Sequence, residues 1–286
     1  MKKIVIIALS IVLVASLAIG GTLSYLTSTD SDVNVLTVGN VKIDQLEYER
    51  VVDANGDWVA STYTGYGYTA DLMQEYTQDK KLIPKVGQPK WDNRNGSEAA
   101  TGTESHQQPW SQIGAPGSNQ LFDDSVHNVQ DKFVFVKNTG SEAAYFRTVI
   151  AIEAPDGTEV TVGSNTYPAI MTNTNGNIRY EWEELTDKIE VDGQKYYVMI
   201  ATHLEPLAAD ETSRPSLLQV YMRSECDNED VAKFGDKVDI LVFTQAVQAQ
   251  GFDDVADLPA EYASCAEYAL TTAFGEITAT AHPWSN

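Results

Sequence analysis

Cysteine and histidine are the scarcest of the side chains able to do chemistry here: Cys226 and Cys265, with His106, His127, His203 and His282. None of the histidines falls in an HExxH pattern, the spacing that places two zinc ligands on one helical face beside a glutamate base. The cysteines form neither CxxC nor a Cys/His pairing at zinc spacing. No GxSxG offers a strained turn for a serine nucleophile, and no Walker A or GxGxxG loop offers a phosphate cradle. Acidic doublets stand at Asp123-Asp124, Glu183-Glu184 and Asp253-Asp254. Adjacent residues on a strand face opposite ways, so a doublet cannot supply the two facing carboxylates of a glycosidase. With 41 Asp and Glu in the chain, such doublets arise by chance. The sequence therefore reads against an enzyme, with no catalytic, cofactor-binding or metal residue assigned.

Two weaker chemistries remain. Asp53-Ala54-Asn55-Gly56-Asp57 loosely resembles a calcium loop, yet it lacks the glycine at the sixth position and the bidentate glutamate at the twelfth, so it reads as a turn. Weak calcium binding elsewhere on so acidic a surface is expected, because oxygen ligands are abundant. Cys226 and Cys265 could join in an oxidising compartment, a bridge contributing about 3–4 kcal/mol on the loop-entropy account. The competing reading makes Cys265 a small buried residue on a helix.

The compartment is set by the N-terminus. Lys2-Lys3 precede an apolar run from Ile4 to Ile19, followed by Gly20-Gly21-Thr22-Leu23-Ser24. This is the layout of an export signal, with small residues at Thr22 and Ser24 for the pockets of a signal peptidase and cleavage expected before Tyr25. The alternative is an uncleaved anchor, although the run falls short of the roughly 20 residues of a membrane span. Contact with a membrane is expected only through the uncleaved signal.

Residues beyond the junction carry a resemblance. Gly20, Gly21, Thr22, Tyr25 and Thr27, then Asn34, Leu36, Gly39 and Val41, match the signal junction and opening strand of the TasA and camelysin (CalY) family, and the junction resembles those cut by a dedicated SipW-type signal peptidase. Ser24 and Leu26 depart from the usual Ala and Phe. The stretch Phe133 to Ser141 is similar to the family's following strand and turn, and Ala246 to Phe252, Ala273-Phe274-Gly275 and His282-Pro283-Trp284 resemble exported clostridial proteins with this type of signal. The resemblance implies a secreted Gram-positive surface or biofilm-matrix protein. It also implies fibres in which the N-terminal segment of one subunit adds as a strand to its neighbour. Val33 to Ile43 is the candidate donor strand, opening at Val33, with Val35, Thr37, Gly39, Val41 and Ile43 on one face and Asn34, Leu36, Val38, Asn40 and Lys42 on the other. The competing expectation is that this segment pairs within its own domain. Some camelysin relatives are described as metalloproteases, but no residue pattern here supports that activity.

Net charge is consistent with an extracellular setting. The formal charge is −22, and loss of Lys2 and Lys3 with the signal moves it to −24. Such a charge repels nucleic acid and anionic lipid. The expected partners are the signal peptidase during export, other copies or matrix proteins, and polysaccharide.

The elements that must carry these features read as strands. Phe133–Lys137 and Ala144–Glu153 are rich in aromatic and β-branched residues and flank Asn138-Thr139-Gly140-Ser141, which predicts a hairpin. Further strands are predicted at Glu159–Gly163, Arg179–Glu183, Tyr196–His203, Leu217–Ser224 and Val238–Gln250, separated by Gly and Asp turns. A helix is predicted over about 258–274, capped by Asp257 and ended by Gly275, with Tyr262, Ala266, Ala269, Leu270 and Ala273 on its packed face. Residues 55–128 read as a long irregular insertion, with a helix candidate at Ala70–Tyr76. Its Tyr63, Tyr66, Tyr68, Trp91 and Trp110 either pin it to the domain or stack on sugar rings. After a signal at residues 1–24, residues 25–286 form one domain: all-β, mainly antiparallel, a β-sandwich or jelly roll with one C-terminal helix. The sequence thus points to a surface or matrix structural protein; the alternative is a surface module that binds glycan or a host protein.

Overall fold

Runs of β-branched and aromatic residues, broken by Asn, Asp and Gly, become thirteen strands among the described residues of the computed structural model, which are 33–51, 73–76, 84, 129–174, 179–252 and 254–285. In chain order these are β1 (Val33–Val38), β2 (Ile43–Arg50), β3 (Met73–Glu75), β4 (Val129–Asn138), β5 (Ala144–Glu153), β6 (Val160–Val162) and β7 (Asn165–Tyr167). Then come β8 (Ile170–Asn173), β9 (Tyr180–Glu184), β10 (Ile189–Val191), β11 (Gln194–His203), β12 (Leu217–Met222) and β13 (Ile240–Gln248). Two helices join them, α1 (Asn228–Lys233) and α2 (Cys265–Phe274).

The strands build an all-β, sandwich-like architecture. Sheet A runs β1-β13-β5-β11-β10, with β9 pairing the other half of β11; sheet B runs β3-β2-β4-β12-β8; β6 and β7 form a separate small hairpin. Apart from β1 on β13, every pairing within these sheets is antiparallel. Between the sheets, Val134, Ile150, Ile152, Leu217, Val220 and Val242 meet in one apolar cluster. Val41, Ile43, Val136, Phe146 and Ala246 meet in another. A polar contact also spans the two layers, where the Thr244 hydroxyl donates to Gln45 Oε1 at 2.6 Å beside Thr148.

Two expectations are corrected where the chain changes sheet. Val33 to Ile43 is not one strand: β1 ends at Val38 in sheet A, and Ile43 opens β2 in sheet B. Gly39 makes the turn at φ +89°, a region that disfavours any residue with a Cβ. The predicted alternation across this segment therefore stops at Gly39, and Val41 and Ile43 point into the inter-sheet core. Likewise β4 and β5 are no hairpin, because they lie in opposite sheets. Asn138 fixes this second crossing. Its side chain accepts from Gly140 N at 2.9 Å and donates to the carbonyls of Glu142 and Leu207 at 2.8 and 2.9 Å. The two crossings touch, since Thr139 N and Gly140 N both donate to Lys42 O, and a Cβ on Gly140 would lie 2.9 Å from Lys42 N. Only glycine fits there.

Each sheet also buries its outer face. On sheet A, Tyr145 and Val247 pack with Cys265, Ala266, Ala269 and Leu270 of α2, and Val149, Ala151, Val198 and Ile200 pack with Ile277 of the C-terminal segment. On sheet B, Phe133 and Phe135 are fully buried with Met73 and Leu218. A polar row crosses the same sheet through four neighbouring strands. The guanidinium of Arg50 pairs with Asp131, Gln219 Nε2 donates to Asp131 Oδ1 at 2.9 Å, and Asn173 Nδ2 donates to Gln219 Oε1 at 3.0 Å. All four residues are buried.

The helix predicted from residue 258 starts later. Ser264, not Asp257, is the N-cap and accepts from Glu267 N at 3.1 Å, while Glu267 accepts from Ala263 N at 2.7 Å. The Ser264 hydroxyl satisfies a donor that an uncapped first turn would leave unpaired, and Glu267 ties down the residue before the cap. Gly275 ends the helix as expected. At 73–75 the helix candidate of the insertion is instead a strand, because Met73, Gln74 and Glu75 pair with β2. Helix α1 was not predicted; Asp227 caps it through a capping box with Asp230.

Candidate functional site

The candidate donor segment forms one lateral edge of the sandwich. Among the described residues, strand β1 pairs with β13 alone, in parallel, from Val33 opposite Val242 to Val38 opposite Val247. Its described side chains from Val35 to Val38 are half-buried. Val35 packs on the inter-sheet cluster and Val38 on the cluster of α2. The following Gly39 and Asn40 are exposed, and Asn40 N donates to Gln248 Oε1 at 3.3 Å. A parallel pairing is slightly less stable per residue than an antiparallel one, and an edge strand is held on one side only, so β1 can part from the sheet by breaking one ladder.

The opposite lateral edge is built differently. There, strand β11 is covered by β9 over Met199–His203 and by β10 over Gln194–Tyr196, so the two covering strands part around Tyr197 and Val198. A cleft of about 310 Å³ opens at this gap, between these strands of sheet A and β8 of sheet B. Its walls include Ile152, Ile170, Leu185 and Phe234, and Tyr167 stands at its rim under the Arg223 guanidinium, 4.4 Å from the ring centroid. Tyr197, Lys188 and Glu159 cluster beside it; the Lys188 ammonium pairs with Glu159 and lies 4.9 Å from the Tyr197 ring.

The residues singled out in the sequence scatter. Thr22, Leu23, Ser24 and Tyr25, the Asp53–Asp57 loop, His106, His127 and Tyr63, Tyr66, Tyr68, Trp91 and Trp110 lie outside the described residues. Cys226 and Cys265 are both free and buried in separate clusters, Cys226 with Phe234 and Val238, Cys265 on α2. The bridge is therefore absent, and Cys265 takes the alternative role of a small buried helix residue. Burial, with Asp230 nearby, pushes the Cys226 thiol up to about 11, so it is protonated and unreactive at neutral pH. His203 stacks on Phe146 at 4.8 Å, and its Nδ1 lies 2.7 Å from Glu205 O; burial lowers it to about 4, so it is a neutral core residue. His282 is also lowered by burial. Glu183 and Glu184 neighbour each other on β9, whose alternation puts them on opposite faces. Among the described residues, no three His, Cys, Asp or Glu side chains gather in a group that could hold a metal.

Sequence reasoning missed the polar interior of sheet B. Lys132, 1% exposed, pairs with Glu47 and stands 3.8 Å from the centroid of the Tyr76 ring. The signal was the run Ile43-Asp44-Gln45-Leu46-Glu47-Tyr48-Glu49-Arg50, whose charges suggest a solvated segment although it lies next to the central strand of the sheet. Its partners Asp131 and Lys132 are distant in sequence, so the pairing could not be read locally. No protein-family model matches the chain, and neither a curated protein nor a solved structure is significantly similar to it.

Proposed function

We propose that the protein is an exported structural subunit of a bacterial surface or extracellular matrix, and that copies join when β1 of one subunit replaces β1 of the next. The observation that carries this reading is the attachment of β1: the first described strand, at a lateral edge, held in parallel by β13 alone among the described residues and followed by an exposed glycine turn. When it leaves, β13 presents an unpaired backbone edge. The identical segment of a second copy satisfies it with the same register and the same pockets for Val35 and Val38. The signal-like N-terminus supplies export, and the resemblance of the junction and opening strand to TasA and camelysin proteins supports a fibre-forming role. The acidic charge demands screening, so divalent cations and lower pH favour association.

Electron microscopy tests this on the chain from Tyr25 onward, across pH and calcium concentration, beside the same chain lacking residues 25–34. Regular filaments that need the intact N-terminus support strand exchange. Particles that stay monodisperse in every condition overturn it.

A further inference from the structure

The cleft on the β8 side has the chemistry of a ligand site, and it is independent of assembly through β1. Its walls are apolar side chains of both sheets, and Met171 and Met199 lend it an adaptable lining suited to aromatic or branched aliphatic groups. Its volume of about 310 Å³ lies at the small end of the range of ligand pockets. Opposite charges stand on opposite walls. Glu184, directly across from Met199 in the sheet A register, is exposed and has no hydrogen-bond or ion-pair partner among the described residues. Arg223, which follows β12 of sheet B, spends its Nε–H on Pro168 O at 3.0 Å and lays its guanidinium on Tyr167, leaving its terminal N–H groups without a protein acceptor among the described residues. These two charges line one cleft yet do not pair with each other. A carboxylate and a guanidinium flanking one apolar slot complement a small molecule that carries an ammonium and a carboxylate close together at one end and an apolar side chain that enters the slot.

We infer that this cleft binds a free α-amino acid with an apolar side chain: the ammonium on Glu184, the carboxylate on Arg223, and the side chain among Met171, Met199 and Leu185.

The test follows the methionine methyl resonances of the full-length chain, labelled with 13C-methyl methionine, during titration with L-phenylalanine. Saturable shifts confined to Met171 and Met199 are expected. Phenethylamine, which lacks the carboxylate, and N-acetylphenylalanine, which lacks the ammonium, should each bind about tenfold more weakly, since each forgoes one charge-assisted hydrogen bond. Glu184→Gln should erase the penalty of acetylation, and Arg223→Gln should erase the penalty of removing the carboxylate. N-Acetylphenylalanine amide, the mimic of an internal peptide residue, should bind more weakly than any of these. No saturable shift with L-phenylalanine overturns the site. Equal binding of all the ligands by the unmutated chain overturns the charge assignment without recourse to any variant.

Discussion

The two lateral edges of this sandwich solve the same problem in opposite ways. At one, β13 is covered along six residues by a parallel strand, the first among the described residues. At the other, β11 is shared by two short antiparallel strands that leave a gap between them, and the gap becomes a cleft. An unpaired strand edge is a template for further pairing, and a fold must cover it or use it. The first edge is covered by a strand that the proposed assembly would release. The second is covered by something fixed but incomplete. The exchange between copies proposed above would use the first, and the small-molecule binding inferred above would use the second.

The largest effect should come from the buried polar row of sheet B, which packs against the sheet that carries both edges. Asp131→Ala leaves Arg50, 1% exposed, buried without its carboxylate, and should cost about 3–5 kcal/mol in urea denaturation. A destabilisation below about 1 kcal/mol would show that the row is not a unit.

On the cleft side, acid should weaken the fold through His203. Its folded value is lowered to about 4 by burial, below the unfolded value of about 6.5. The unfolded chain therefore takes up the proton first, and the contribution of His203 to stability, fully present above about 6.5, is lost as pH falls toward 4. His203→Gln should flatten the slope of unfolding free energy against pH in that window. An unchanged slope would assign the acid sensitivity to other groups.

Hydrogen exchange should separate the edges from the centre. Amides of Val35–Val38 should exchange at least about 100-fold faster than those of Val149–Ile152 in the middle of sheet A. Equal protection would mean that β1 opens only with the whole domain, which would remove the basis for strand exchange. The smallest effect is expected on the β1 side, where α2 packs against Val38. Ser264→Ala removes the cap of that helix and should cost about 1 kcal/mol, read as a lowered Tm.

Most strands were legible because their patterns are local. Ala144–Glu153 was predicted to the residue, and Tyr196–His203 and Val238–Gln250 within two residues at each end. The sheet to which each strand belongs was not legible. Asn138-Thr139-Gly140-Ser141 has the composition of a hairpin turn, but the hydrogen bonds of Asn138 to Glu142 and Leu207 make it a crossing between layers. Leu207 is 69 residues away from Asn138 in sequence, so no short-range pattern announces it. The helix start differs because Asp257 is a good capping residue wherever it occurs, while the hydrogen bonds from Glu267 N to Ser264 and from Ala263 N to Glu267 decide the outcome. The cleft was illegible for a similar reason: Glu184 and Arg223 come together only through the packing of two sheets.

The row Arg50–Asp131–Gln219–Asn173 also bears on how the chain finds its alignment. A sheet whose strands slide by one residue keeps nearly all its backbone hydrogen bonds, so the ladder by itself discriminates poorly among registers. Here a one-residue slide of β4 against β2 would bring Gln130 or Lys132 to Arg50 in place of Asp131. The same slide would turn Phe133 and Phe135 inward and Val134 and Val136 outward. Four strands from four distant parts of the chain must agree before the guanidinium meets its carboxylate and both amides find partners. The row therefore acts as a key for strand alignment, selecting the native register of sheet B from its neighbours by charge as well as by shape.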